Sequence, residues 1–232
     1  MDTIIEPREP RTQPAGVEPG YPQTEWRWPS QPLQRRPHTR SELSGPQQVL
    51  RRLKPVRGDL AGYGEKRAIG QLIHLRTRIV DEDGAPVSGA AVEIWHCNAA
   101  GKYIHPNDTH DAPVDPNFYG AARMIAGETG LIELRTIKPG AYPTAGEDRW
   151  WRPPHVHFSV WGKVWLSRLV TQMFFPGEPL NEHDAVLNAV RDPGARSRCI
   201  ARLLPGSEGP DNALVYEYQL VVRGRRAAPG MP

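Results

Sequence analysis

The chain has 232 residues, 38% hydrophobic and 24% charged, with a net charge of +3. That is long enough for one substantial core, and the modest, mostly scattered positive charge argues against a nucleic-acid binder. No apolar run approaches the roughly 20 residues of a membrane span, and MDTIIEPREPRTQ lacks the apolar stretch of a secretory signal, so a cytoplasmic location is expected.

Pro 25 and Gly 22 are high counts. With short alternating segments between them, they predict an all-β chain rich in turns rather than a helical bundle. Cys97 and Cys199 are the only cysteines. No disulfide framework is indicated, and both read as small buried hydrophobes.

In chain order, residues 1–65 are rich in Pro and Arg, with little periodicity, and read as an extended arm. Tyr21, Trp26 and Trp28 are costly to leave in water, which points to docking on another subunit. Residues 66–232 are expected to form the globular domain. Its first strand is QLIHLRTRIVD, with Ile73, Leu75, Thr77 and Ile79 on one face, followed by the turn DEDGAPVSG. AAVEIWHC is the next strand. NAAGKYIHPNDTHDAPVDPNFYG is then a long polar loop of the kind that carries function on a β scaffold. GETG turns the chain into the strand LIELRTI, and PGAYPTAGEDRW forms a second loop. After the strand LSRLVTQMFF, Asn181 is placed to cap a short helix through Val190. CIARLL and LVYEYQLVVR complete a β-sandwich of two mainly antiparallel sheets.

The stretch RWWRPPHVHFSVWG lies between the second loop and LSRLVTQMFF. A period of two puts His155 and His157 on one face of a strand and Val156, Phe158 and Val160 on the other. An isolated H-x-H is more often a pair of solvated polar residues. Pro153 and Pro154, which fix φ and remove two donors, start this strand rigidly, as a preorganised ligand pair requires.

Tyr103 in the first loop and Tyr142 in PGAYP complete the pattern. Either tyrosine alone reads as a packed ring at a corner. Together with two imidazoles they make a hard N2O2 donor set. A phenol ionises near pH 10 when free, so tyrosinate ligands call for a strongly Lewis-acidic metal. Fe(III) suits that better than Zn(II), which would more often recruit Cys or a third His, or Fe(II), which is commonly held by two His and a carboxylate.

The runs AAVEIWHCNAAGKYIHPND, DPNFYG, RTIKPGAYP, WRPPHVHF, VTQMFFPGEP and LVYEYQLVVRGRR, in this order across residues 65–226, resemble the intradiol ring-cleaving dioxygenases. Within that family they are most similar to the β-type catalytic chains that act on protocatechuate. The resemblance implies a non-haem Fe(III) held by Tyr103, Tyr142, His155 and His157. It implies cleavage of 3,4-dihydroxybenzoate by O2 to 3-carboxy-cis,cis-muconate, in aromatic catabolism. Tyr142 would give way to the chelating substrate, Arg152 would stabilise charge on the attacked ring carbon, and Gln172 would orient the ligands. A homologous α chain would complete the pocket in a hetero-oligomer.

Other readings stay open. For Arg152 the structural alternative is an ion pair with Glu147 or Asp148, and for Gln172 a polar core residue satisfied by backbone. Thr144 stands where relatives can carry tryptophan, and His38 falls where the arm should place a tyrosine. His96, His105 and His110 read as surface residues or neighbours of the ligands, and His74 and His183 as bland. DEDGAPVSGAAVEIW also resembles transthyretin-like binding modules, and the α-type sister chain shares the fold without the ligands. The same chemistry on another substituted catechol is a further alternative. A shared fold does not establish function, so the four-residue set is what separates these readings.

Overall fold

A computed structural model describes residues 58–63, 66–144, 150–162 and 168–222, together with Gln31. The aromatic residues expected to dock the arm, His38, Glu147 and Asp148 lie outside the described residues.

The described strands are β1 (Gly62–Tyr63), β2 (Lys66–Arg67), β3 (Leu72–Val80), β4 (Ala91–Trp95), β5 (Ala121–Ile125) and β6 (Leu131–Ile137). They continue as β7 (Tyr142–Pro143), β8 (Trp151–Arg152), β9 (His155–Trp161), β10 (Leu169–Phe174), β11 (Arg202–Gly209) and β12 (Ala213–Val221). One four-stranded sheet has the order β10-β9-β4-β5 and the other β11-β12-β3-β6. Neighbours are antiparallel except β12 and β3, which run parallel. This is the expected all-β architecture of mainly antiparallel sheets.

The core lies between the sheets and follows the period-two pattern. Val156, Phe158 and Val160 of β9 and Val92 and Ile94 of β4 face Ile73, Leu75 and Ile79 of β3 and Tyr216, Tyr218 and Leu220 of β12. Each such side chain contributes roughly 1.5–3 kcal/mol by leaving water. Thr77 shares the buried face of β3, as its position requires. The chain enters this core at Leu60 and Ala61, with the Leu60 N–H donating to the Arg135 carbonyl at 2.8 Å.

Several local expectations are corrected. β5 is a strand that the pattern of AARMI did not announce. It is a sheet edge whose Ala121, Arg123 and Ile125 are exposed, so apolar alternation is weak there. The strand AAVEIWHC ends at Trp95, because the loop takes His96 and Cys97. The last loop before β9 is partly paired, with Tyr142 opposite Arg152 and Pro143 opposite Trp151. The strand expected at CIARLL begins at Arg202 and runs through a bulge to Gly209. Asn181 caps no helix; its side chain donates to the Phe175 carbonyl at 2.8 Å. The cap is Asp184, which opens the single turn α1 (Ala185–Asn188), two residues short of Val190. Cys97 is buried, whereas Cys199 is only partly so.

Candidate metal centre

Strand β9 fixes the first two members of the site. The His155 Nδ1–H donates to the Pro153 carbonyl at 2.7 Å. A carbonyl can only accept, so this bond places the proton on Nδ1 and leaves a lone pair on Nε2. His157 lies opposite Trp95 across the sheet, and the indole stacks on its ring at 4.9 Å and 8°. The imidazole centroids are 4.9 Å apart. The Gln172 amide nitrogen is 3.5 Å from His157 Nδ1, too long a contact to fix that tautomer.

The two loops bring the phenols to this pair. Tyr103 Oη is 3.1 Å from His157 Nε2, and Tyr142 Oη is 3.1 Å from His155 Nε2. The phenol rings meet edge to face at 5.3 Å and 85°. Their loops are locked together by backbone: the N–H groups of Gly101 and Gly140 both donate to the Asn98 carbonyl, at 3.0 and 2.9 Å. A Cβ at Gly140 would fall 2.3 Å from the Ala99 carbonyl oxygen, and one at Gly101 2.3 Å from that of Ala141. No side chain fits either position. The Asn98 Oδ1 also accepts from the N–H groups of Ala100 and Lys102, each at 2.9 Å. Asp108 takes the Tyr103 N–H at 2.7 Å and holds Lys102, closing the far side of the loop.

Arg152 completes the site. Its Nη1 is 3.2 Å from His155 Nε2, its Nη2 donates to Gln172 Oε1 at 2.7 Å, and its guanidinium lies over the Trp150 ring at 5.9 Å. Among the described residues its acidic partner is Asp184, 32 residues on, at 2.9 Å. Gln172 is engaged by a side chain rather than by backbone alone.

Electrostatics keep the imidazoles neutral. Burial first, then the Arg152 charge, holds His157 down to about 3 and pushes His155 well below the usual histidine range. Burial and the neighbouring Tyr142 push the Tyr103 phenol well above its ordinary value. Burial also lifts the Cys97 thiol to about 12, so no thiolate is offered beside the site. Among the described residues no three His, Cys, Asp or Glu side chains cluster as a metal set.

The remaining expected residues fall as follows. His96 is fully buried rather than at the surface, bonded to the Cys97 carbonyl and to Thr136 Oγ1, and burial lowers it to about 4. His105 and His183 are exposed, and His110 leans on Asp108. Thr144 is buried and tied to Trp150. Trp95, Asn98, Asp108 and Asp184 are contributions that sequence reasoning missed. An Asp just before a helical turn is a capping signal, and it could have found Asp184 as a cap though not as Arg152's partner.

The donor set suits a hard trivalent metal. Metal–ligand bonds of roughly 2 Å at angles near 100° separate adjacent donors by about 3 Å, which the two O···N contacts match. A trivalent cation placed here would need anionic donors to offset its own charge, and the two phenols are the groups at hand that a strong Lewis acid would ionise.

A family profile described as Dioxygenase matches residues 43–224. The chain is 40% identical over 229 residues to a protein named protocatechuate 3,4-dioxygenase beta chain from Burkholderia cepacia, covering 98% of this chain and 97% of that one. It is 32% identical over 120 residues to a hydroxyquinol 1,2-dioxygenase from Rhizobium sp. (strain MTP-10005), covering 47% of this chain and 39% of that relative. Among solved structures, 3-chlorocatechol 1,2-dioxygenase from Rhodococcus opacus 1CP aligns with a TM-score of 0.54 at 23% identity, over 71% of this chain and 64% of the other, and so shares the fold.

Proposed function

Since the chain belongs to the intradiol ring-cleaving dioxygenases, we propose that it is the iron-holding, catalytic β-type subunit of an enzyme that opens protocatechuate to 3-carboxy-cis,cis-muconate. The observation that carries this is the convergence of Tyr103 with His157 and of Tyr142 with His155, at 3.1 Å each, beside a buried Arg152. The choice of protocatechuate is supported by near full-length similarity to a chain of that name.

Tyr103, Tyr142, His155 and His157 would hold a ferric ion. Bound there, Fe(III) supplies the Lewis acidity that makes a catechol chelate as a dianion and lets its ring react with dioxygen. Tyr142, as the tyrosinate, would accept a proton from the entering diol at its Oη. Arg152, always cationic and planar, would stabilise charge that builds on the ring carbon. Gln172 holds the guanidinium from one side. The Trp95 ring and the buried face of β9 exclude water from behind the imidazoles. An α-type chain is the proposed partner, and it would supply the rest of the pocket.

The test is the visible spectrum of the aerobically purified chain, co-expressed with its α-type partner, before and after anaerobic protocatechuate. A tyrosinate-to-iron charge-transfer band that shifts with substrate, and product formation once O2 is admitted, are expected. A colourless protein after iron loading would overturn the proposal.

A further inference from the structure

We propose that Asp184 is the positioning residue for Arg152: its carboxylate sets the plane of the guanidinium, so that the Nη1 edge faces His155 and the place where substrate would react. This rests on the reading of the site given above.

The two side chains are 1% and 0% exposed. Arg152 Nε donates to Asp184 Oδ2 at 2.9 Å, and Nη2 reaches Oδ1 at 3.3 Å while also donating to Gln172 Oε1 at 2.7 Å. A planar group held through two of its three nitrogens cannot rotate about its axis. The third nitrogen, Nη1, is thereby aimed at His155 Nε2, 3.2 Å away. Asp184 is itself fixed, because its Oδ1 accepts the Leu187 N–H at 2.6 Å as the cap of α1. The Asn188 side chain also donates to the Asp184 carbonyl at 2.8 Å. The turn α1 is thus tied to the end of β8 by the Asp184 carboxylate.

Charge gives the second reason. A guanidinium buried without a counter-ion costs several kcal/mol, and here it sits against an imidazole that the site requires to be neutral. With Asp184 in place the pair is neutral as a unit, and Arg152 can remain inside with its positive edge toward the reacting position. Without the negative charge, the cation gains by swinging toward water and away from the site. A buried ion pair is weak evidence for stability as such. One whose cation touches a proposed metal ligand acts on the chemistry.

The test is Asp184→Asn, which keeps an acceptor for the Leu187 N–H and removes the charge. With the co-expressed partner chain, kcat is expected to fall roughly 10–100-fold with KM nearly unchanged, while the charge-transfer band and its shift with anaerobic protocatechuate persist. In an Arg152→Gln background the same change is expected to have no further effect. An equal fold-loss in both backgrounds would overturn the proposal, and so would loss of the band in the single variant, which would tie Asp184 to the tyrosine and histidine side chains instead. If Asp184→Asn does not fold, the double variant Arg152→Gln/Asp184→Asn, neutral on both sides, is compared with Arg152→Gln. Equal turnover supports the assignment, and a further drop overturns it. A wild-type enzyme with neither band nor turnover overturns the reading of the site, an outcome distinct from additivity in an active enzyme.

Discussion

On strand β9 the side chains of Val156, Phe158 and Val160 point into the sandwich and are fully buried among other apolar groups. One position away, His155 and His157 turn to the opposite face and meet two phenols, an amide and a guanidinium. The inner face is held by many interchangeable contacts of one kind. The outer face is held by a few directional ones, each supplied from a different part of the chain. A substitution on the inner face should therefore change how firmly the protein folds, and one on the outer face should change what it does once folded.

The largest separation is expected from His157→Ala and Phe158→Ala, neighbours on one strand. His157→Ala should abolish turnover and the charge-transfer band while leaving the unfolding midpoint near that of wild type, because a side chain facing the site is lost rather than core volume. Phe158→Ala should destabilise by about 3–5 kcal/mol, read by denaturant unfolding, and the folded fraction should retain its colour and KM. If His157→Ala also unfolds the chain, or Phe158→Ala bleaches it, the two faces are not separable in this way.

The inner face and the His155–His157 pair were legible because alternation of period two is local: six consecutive residues, 155–160, carry it with two prolines just before. Tyr103 and Tyr142 were legible through their motifs, although the physics that seats them was not. Nothing local to Asn98 says that its carbonyl would bind the N–H groups of both Gly101 and Gly140. Nor does anything near Arg152 in sequence say that a carboxylate 32 residues on would pair with it. β5 escaped for the opposite reason, since an edge strand with three of five residues exposed has too little apolar alternation to announce itself. Pairings made by tertiary contact leave no periodicity, and the site is built mostly from such pairings.

A smaller effect should appear with pH, and it belongs to the layer behind the site. His96 is held at about 4 by burial against an ordinary 6.5. Between those values the unfolded chain binds a proton that the folded chain does not, so stability is full above pH 6.5 and is lost as pH falls toward 4. The size is on the order of 3 kcal/mol. His155 and His157 of the metal-free chain add slope of the same sign, because they too are lowered. Thermal unfolding of the chelator-treated protein from pH 7.5 to 4.5 should show the decline, and His96→Gln should make it shallower. A profile equally steep in the variant would place the acid sensitivity entirely in the site pair.

The smallest effect is expected from a more exposed arginine that also binds distant carboxylates. Arg135 donates to Asp59 at 2.6 Å and to Asp211 at 3.0 Å, so on paper it is as well paired as Arg152. Its partners, however, are 47% and 43% exposed, and the segment it holds is also fastened by backbone, from Leu60 N–H to the Arg135 carbonyl and from Arg135 N–H to the Gly58 carbonyl. Water can replace what the side chain provides, and the backbone bonds survive its removal. Arg135→Ala should thus cost about 1 kcal/mol or less, shrinking further in high salt. Arg152→Ala strands the buried Asp184 carboxylate and should cost about 3–5 kcal/mol, with little dependence on salt. Urea midpoints of both variants at low and high ionic strength measure the difference. If Arg135→Ala proved as costly and as insensitive to salt as Arg152→Ala, burial would not be what distinguishes the pair at the site from the pair at the surface.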